Sequence, residues 1–391
     1  MTNRLANGRR IIKQSCLFDE YYYLKKNPDV AQSGINPITH YLLHGAREGR
    51  DPCKEFDTRF YLTQHRDVAA VGMNPLLHYI NFGKAEGRTI RATRDFLRDE
   101  SKGLKLSVII VSHNMARELP RTIRSFSPAM QRNIAADDYE VIVVDNGSTQ
   151  PLDQTELFRW GGNVSFHSIS KPTPSPVPAI NCGLGLARGE LACVCIDGAR
   201  MASPGLLSSA LAASRLQERP VIGTLSLHLG PDLQPRSLVK GYNQGAEDRL
   251  LEESRWTENG YRLFRVAKAF GNGGGWFKFP FETNALFLKL DHWRELGGYA
   301  PRFVSPGGGL VNLDTWKRVC TAPPAGSVIM LLGEAVFHQF HGGVSSNSPN
   351  PPMEAWHNEY IRIRGAHYAP PAKVPCRWYA AREDWRKNLK P

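Results

Sequence analysis

Residues 106–114 read Leu-Ser-Val-Ile-Ile-Val-Ser-His-Asn, a short β-branched run that ends in small polar residues. An amphipathic segment follows, with Leu119, Ile123 and Phe126 at helical spacing. A second apolar run, Val141-Ile142-Val143-Val144, stops abruptly at Asp145-Asn146-Gly147-Ser148. A third, Leu191-Ala192-Cys193-Val194-Cys195-Ile196, stops at Asp197-Gly198. Apolar strands that alternate with helical segments make βαβ units on a parallel sheet, so the expected fold class is α/β. Such a sheet meets its ligand beyond the carboxyl ends of its strands, where Ser112, Asp145 and Asp197 fall.

Two features between the second and third runs narrow the class. Lys171-Pro172-Thr173-Pro174-Ser175-Pro176-Val177-Pro178 can be neither helix nor central strand, so it predicts an extended loop leading into a helix that carries Asn181. Residues 183–189, Gly-Leu-Gly-Leu-Ala-Arg-Gly, imitate a dinucleotide fingerprint. Their spacing is one residue too long, and they precede a strand instead of following one, which excludes a dinucleotide-dependent oxidoreductase.

The strand and helix from Ser107 to Phe126, then Val143 to Ser148, then Asn181…Gly189-Glu190…Asp197 stand in a recognisable order. Over roughly residues 105–345 the chain resembles the family 2 glycosyltransferases of the GT-A fold. Glu282-Thr283-Asn284-Ala285-Leu286-Phe287-Leu288 and Trp293…Leu296-Gly297-Gly298-Tyr299 resemble the family's acceptor-side strand and helix, and Val336 to Gly343 ends the likeness. The resemblance implies a nucleotide-sugar-binding, Rossmann-like, mostly parallel sheet. It also implies an inverting transferase that takes a nucleotide-diphosphate sugar and a glycan or lipid-linked acceptor in bacterial surface polysaccharide synthesis.

Glycosyl transfer needs the donor's base and ribose held, the leaving diphosphate neutralised and the acceptor hydroxyl deprotonated. By family position Asp145 is expected on the donor, assisted by Ser112 and Asn146, with Asn114 and Asn181 nearby; the bland reading of Asp145 is a turn-forming Asx residue. The family's metal motif is Asp-Xaa-Asp, holding Mn²⁺ or Mg²⁺ against the diphosphate. Here Asp197-Gly198-Ala199-Arg200 keeps only the first carboxylate, and His338 or His341 is expected as a further metal ligand. Arg200, Lys278 or Arg318 is the metal-free alternative for the diphosphate. Aligning on Arg318 puts Asn312 where the family's general base stands, and an amide takes no proton at neutral pH. Asp314 and Glu282 remain as catalytic carboxylates, each weighed equally against a structural role. The incomplete metal motif and absent base keep a second reading open, a catalytically silent GT-A scaffold that binds a nucleotide sugar or glycan.

Upstream lies a repeat. Phe18-Asp19…Tyr23-Leu24…Asp29-Val30-Ala31…Gly34…Asn36-Pro37…His40-Tyr41…Gly45…Glu48-Gly49-Arg50 recurs 38 residues later, from Phe56 to Arg88, with 16 of 33 aligned positions identical. Each unit predicts a helix, a Gly-Xaa-Asn-Pro turn, a second helix and a glycine stop, and such hairpins bury their apolar faces on neighbours. The pair resembles a repeat found beside bacterial polysaccharide glycosyltransferases. His40 and His78 recur at matched positions, and a packed, hydrogen-bonded histidine is favoured there over a metal ligand. The expected organisation is a helical repeat module and linker over 1–100, a GT-A domain over 101–345 and a basic aromatic extension over 346–391.

The apolar runs are strand-sized, far short of the roughly 20 residues of a membrane helix. The basic N-terminus lacks the apolar core of a signal peptide. Seven cysteines in no recognisable spacing give no metal or disulfide framework, so the cytoplasm is the expected compartment, at the inner face of the membrane if an anionic surface draws the chain. The net charge of +12 suits anionic donors, acidic glycans or peripheral membrane association. No nucleic-acid motif accompanies it.

Overall fold

The structure is a computed structural model that describes residues 2–86, 88, 90, 103–150, 159–160, 163–169, 171–321, 328–343, 351–371 and 374–381, with the side chains of residues 2–4 excepted. Most of the charged linker expected at 89–104 lies outside the described residues. The chain divides into two compact units, Met1–Lys102 with Ser165–Pro172 and Gly103–Val164 with Thr173–Pro391.

In the first unit, helix α1 (Thr2–Ser15) precedes two copies of one motif. The first copy runs α2 (Glu20–Lys26), α3 (Pro28–Ser33) and α4 (Pro37–His40), with a π-type turn over Tyr41–Gly45. The second runs α5 (Thr58–Gln64), α6 (Arg66–Ala70) and α7 (Pro75–His78), with a π-type turn over Tyr79–Gly83. Asp19 and Asp57 cap the first helices, and Asn36 and Asn74 cap the helices that Pro37 and Pro75 begin. Tyr23, Phe56, Tyr61 and Leu76, all at 0 % exposure, form one shared core, so neither copy buries its apolar face alone.

The matched histidines are hydrogen-bonded core residues: Tyr23 Oη lies 2.9 Å from His40 Nδ1, and Tyr61 Oη lies 2.9 Å from His78 Nδ1. This pairing explains the repeat's glycine. A Cβ at Gly45 or Gly83 would overlap the hydroxyl of Tyr23 or Tyr61, so this glycine makes room for the tyrosine, and Gly49, left-handed at φ 70°, is the one that ends the first copy.

The second unit is built on one sheet. Its strands are β1 (Leu106–Ser112), β2 (Tyr139–Asp145), β3 (Leu191–Cys195), β4 (Arg200–Ala202), β5 (Val221–Leu229), β6 (Ala267–Phe270), β7 (Ala285–Lys289), β8 (Val328–His338) and β9 (Cys376–Tyr379). Their order is β9-β8-β5-β7-β3-β1-β2, with β4 on β8 and β6 on β5. Every residue of β1 and β2 is buried, as strands covered on both faces require. The β2-β1-β3 portion is parallel, as the alternation of strands and helices predicts. The sheet is mixed: β7 runs antiparallel to both β3 and β5, and the pairs β5–β8 and β8–β9 beyond it are again parallel.

Helices α8 (Leu119–Ser125) and α9 (Val177–Leu186) follow the β1 and Pro-rich segments. The Gly-Leu-Gly-Leu-Ala-Arg-Gly stretch is the second half of α9 and the turn into β3. A Cβ at Gly189 would stand 2.5 Å from the backbone of Leu106 and Ser107, so this glycine serves close packing against β1. The second unit also contains α10 (Gln244–Ser254), α11 (Leu290–Leu296), α12 (Val311–Thr321) and α13 (Met353–Arg364). Beyond residue 345 the chain does not stand apart: it supplies α13 and the edge strand β9, which pairs with β8. No helix among the described residues is long and apolar enough to cross a membrane.

Candidate active site

Strand register assembles the site. β4 pairs antiparallel with β8, with Arg200 opposite His338. Three residues back from Arg200 is Asp197 and three on from His338 is His341, so the same antiparallel step faces them across the gap. The Gln339 amide donates to the Ala199 carbonyl at 2.9 Å and keeps that step beyond the end of the strands. Asp197, His338 and His341 thereby place one ligand atom each within 4.8 Å of one another. The two histidine Nε2 atoms are 3.0 Å apart, and buried His338 Nδ1 has no hydrogen-bond partner. One carboxylate and two imidazoles converging in this way fit a divalent cation.

The electrostatics keep these groups in ligand form. Burial pushes the Asp197 pKa up, but Arg200, then His341, outweigh it and leave the carboxyl below its usual range. Burial holds His338 well below the usual imidazole value, helped by Arg200, and it lowers His341 as well. Both rings are neutral near pH 7. Arg200 is itself fixed, donating from Nε to Asp197 at 3.0 Å and from Nη1 to Ser226 Oγ at 2.9 Å. The guanidinium therefore buttresses the one carboxylate left of the metal motif.

Glu282 reaches the same region. Its pKa is raised by burial, and Arg200 and Asp197 are both near enough to act on it. Asn312 donates from Nδ2 to Glu282 Oε2 at 2.7 Å and accepts from Tyr299 Oη at 3.2 Å. Asp314 is not brought to the cluster: Arg364 takes both of its carboxylate oxygens, at 2.7 and 2.6 Å. That bidentate pair assigns Asp314 to anchoring α13 on α12.

The remaining expected residues divide. Ser112 Oγ and Asn146 Oδ1, at the carboxyl ends of β1 and β2, are buried without a hydrogen-bond partner. Asp145 closes its own turn, accepting from the Gly147 and Ser148 amides at 3.1 and 3.0 Å and from Ser148 Oγ at 2.5 Å. Asn114 adopts a left-handed conformation (φ 53°), and its Oδ1 accepts from the Thr149 amide at 2.8 Å. Asn181 is tied to the backbone of Tyr299 at 2.8 and 2.9 Å and is not presented to a ligand. Arg318 donates to the Leu296 and Gly298 carbonyls at 2.5 and 3.1 Å, a structural task.

Sequence reasoning missed Glu247. Buried in α10, it accepts from the Phe340 amide at 2.8 Å and faces Arg117 at 3.3 Å, holding the His338–His341 segment in place. Burial raises its pKa to about 7, against the lowering effects of the Phe340 amide and Arg117. The signal was there: Glu247 shares a helix face with buried Leu251, four residues on, where an acid is out of place.

The sequence model described as Glycosyl transferase family 2 matches residues 107–223. Among curated proteins none matches. Among solved structures, Staphylococcus aureus TarS 1–349 is similar at 18 % identity over 53 % of this chain and 54 % of that one, with a TM-score of 0.35. The chain thus spans about half of that protein's length. The Pyrobaculum calidifontis mannosyltransferase PcManGT is similar at 17 % identity over 70 % and 68 % of the two chains, with a TM-score of 0.37. Residues 107–223, from β1 into β5, are thus the part of the chain similar to the family 2 glycosyltransferases, and Asp197 of the Asp197–His338–His341 cluster lies within them.

Proposed function

We propose that the protein transfers a sugar, with inversion, from a nucleotide-diphosphate donor to a glycan or lipid-linked acceptor in the synthesis of a bacterial surface polysaccharide. The observation that carries this reading is the convergence of Asp197, His338 and His341 beside Glu282 at the end of the family domain. Asp197, His338 and His341 would hold a Mn²⁺ or Mg²⁺ ion, whose contribution when bound is charge to set against the leaving diphosphate. Arg200 keeps Asp197 ionised and directed, and adds its own positive charge. The partnerless Ser112 Oγ and Asn146 Oδ1 support seating the donor at the ends of β1 and β2, with Asp145 and Asn114 shaping the turn around it.

Glu282 is the carboxylate suited to take the acceptor hydroxyl's proton. Its raised pKa makes it a stronger base than an exposed glutamate, and the Asn312 amide orients it without competing for the proton. Asn312 thus gives up the family's base position and supports the base that replaces it. The test is turnover of sugar nucleotides by Glu282→Gln. It should lower kcat about 100-fold or more while donor binding persists, within the range general bases contribute. Unchanged kcat would remove Glu282 from the mechanism.

A further inference from the structure

Away from the Asp197 cluster, the outer side of α8 and the end of α10 line an open groove of about 460 Å³. Arg124, on α8, lies over the ring of Trp160 at 4.2 Å and reaches Trp256 at 5.5 Å. We propose that this groove binds an anionic saccharide, its sugar ring against Trp160 and its acid group on Arg124.

Arg124 is a partly buried cation with no carboxylate partner among the described residues. Of the three acids lining the groove, Glu252 has no ion pair among the described residues and the other two are already held. Asp248 is bound by Arg117 and Arg121 at 2.7 and 2.5 Å, and Glu258 by Arg262 at 2.8 Å. Burial, and then the like charge of Arg159, make the Arg124 proton easier to lose, which is the cost of a cation with aromatic neighbours alone. A bound carboxylate or phosphate would relieve it with two parallel hydrogen bonds.

The rest of the lining fits a sugar better than a bare anion. Trp160 lies beneath the Arg124 guanidinium, with Arg159 also over its ring at 5.5 Å, so an acid group held by Arg124 would bring its sugar alongside the indole. Glu252 supplies an acceptor for ring hydroxyls. The volume lies within the roughly 300–1,000 Å³ of small-molecule sites. The site is distinct from the donor end of the sheet, so the proposal goes beyond sugar transfer and needs no turnover to be tested.

Isothermal titration of the full chain, without donor or metal, separates the cases. Trigalacturonate should bind, maltotriose should bind at least 10-fold more weakly, and inorganic phosphate should bind more weakly still. A hexose phosphate that outbinds trigalacturonate would also support the site and would identify the acid group as phosphate. Arg124→Gln and Trp160→Ala should each weaken trigalacturonate at least 10-fold, with melting curves showing that the variants are folded. If Arg124→Gln does not fold, Trp160→Ala carries the test. Equal affinity for maltotriose, equal affinity for inorganic phosphate, no binding, or folded variants that bind undiminished would each overturn the proposal.

Discussion

Glu282 and Asp314 are both carboxylates on the acceptor side, and what surrounds each one separates them. Glu282 is oriented by a neutral amide and stands within reach of Asp197 and Arg200, whereas Asp314 is neutralised by a bidentate arginine. Asp314→Asn is expected to leave kcat close to wild type and to lower stability by about 1–3 kcal/mol, the cost of an unmatched buried partner. Denaturant unfolding and steady-state kinetics on this variant, beside Glu282→Gln, should show the opposite pattern for the two residues. The proposed metal ligands carry a prediction of their own. Two imidazoles and one carboxylate form a nitrogen-rich set that favours Mn²⁺ or a later first-row ion over Mg²⁺, which prefers oxygen ligands and retained water. Titration calorimetry should find Mn²⁺ binding at least 10-fold tighter than Mg²⁺, and His341→Ala should remove the difference. Equal affinities would mean that the histidines are not ligands.

At the level of elements, the site depends on the Phe340 segment being pinned to α10 by Glu247. The pH dependence follows from its raised pKa. Below about 4.5, the ordinary glutamate value, both folded and unfolded chains carry the proton and no penalty arises. Between that value and about 7, the unfolded chain ionises while the folded chain resists, so stability falls as pH rises through this window. The fall is at most about 3 kcal/mol. Glu247→Gln, which keeps an acceptor for the Phe340 amide, should flatten that slope in melts taken from pH 4.5 to 7.5; an unchanged slope would place the titration elsewhere. Gly189→Ala should cost about 1–3 kcal/mol, because the added methyl meets strand backbone and not a movable side chain. Elements of this kind were legible to different degrees in the sequence. β1, β2 and β3 announce themselves as unbroken apolar runs because they are buried on both faces. The antiparallel insertion of β7 has no local signature, since strand direction is set by partners far away in sequence. The repeat's period was plain, yet the need for glycine at 45 and 83 was not, because the tyrosine hydroxyl each accommodates comes from another helix.

Across the whole molecule, the same distinction decides which parts of the site could be foreseen. Asp197, His338 and His341 were named through the family resemblance, and the β4–β8 register brings them together. The commitment of Asn181 to Tyr299, of Asp314 to Arg364 and of Arg318 to backbone carbonyls depends on long-range packing that no local pattern encodes. The central claim is that the Asp197 cluster is a working donor site, with His338 and His341 in place of a second carboxylate and Arg200 holding Asp197. Thermal stability against a panel of nucleoside diphosphates, each with and without Mn²⁺, tests it most directly. One nucleotide should stabilise the protein by about 2–4 kcal/mol at roughly 100–1,000 times Kd, with a shift that depends on Mn²⁺ and disappears in Asp197→Ala. No shift with any nucleotide, with or without metal, would contradict the account and leave a glycan-binding scaffold in its place.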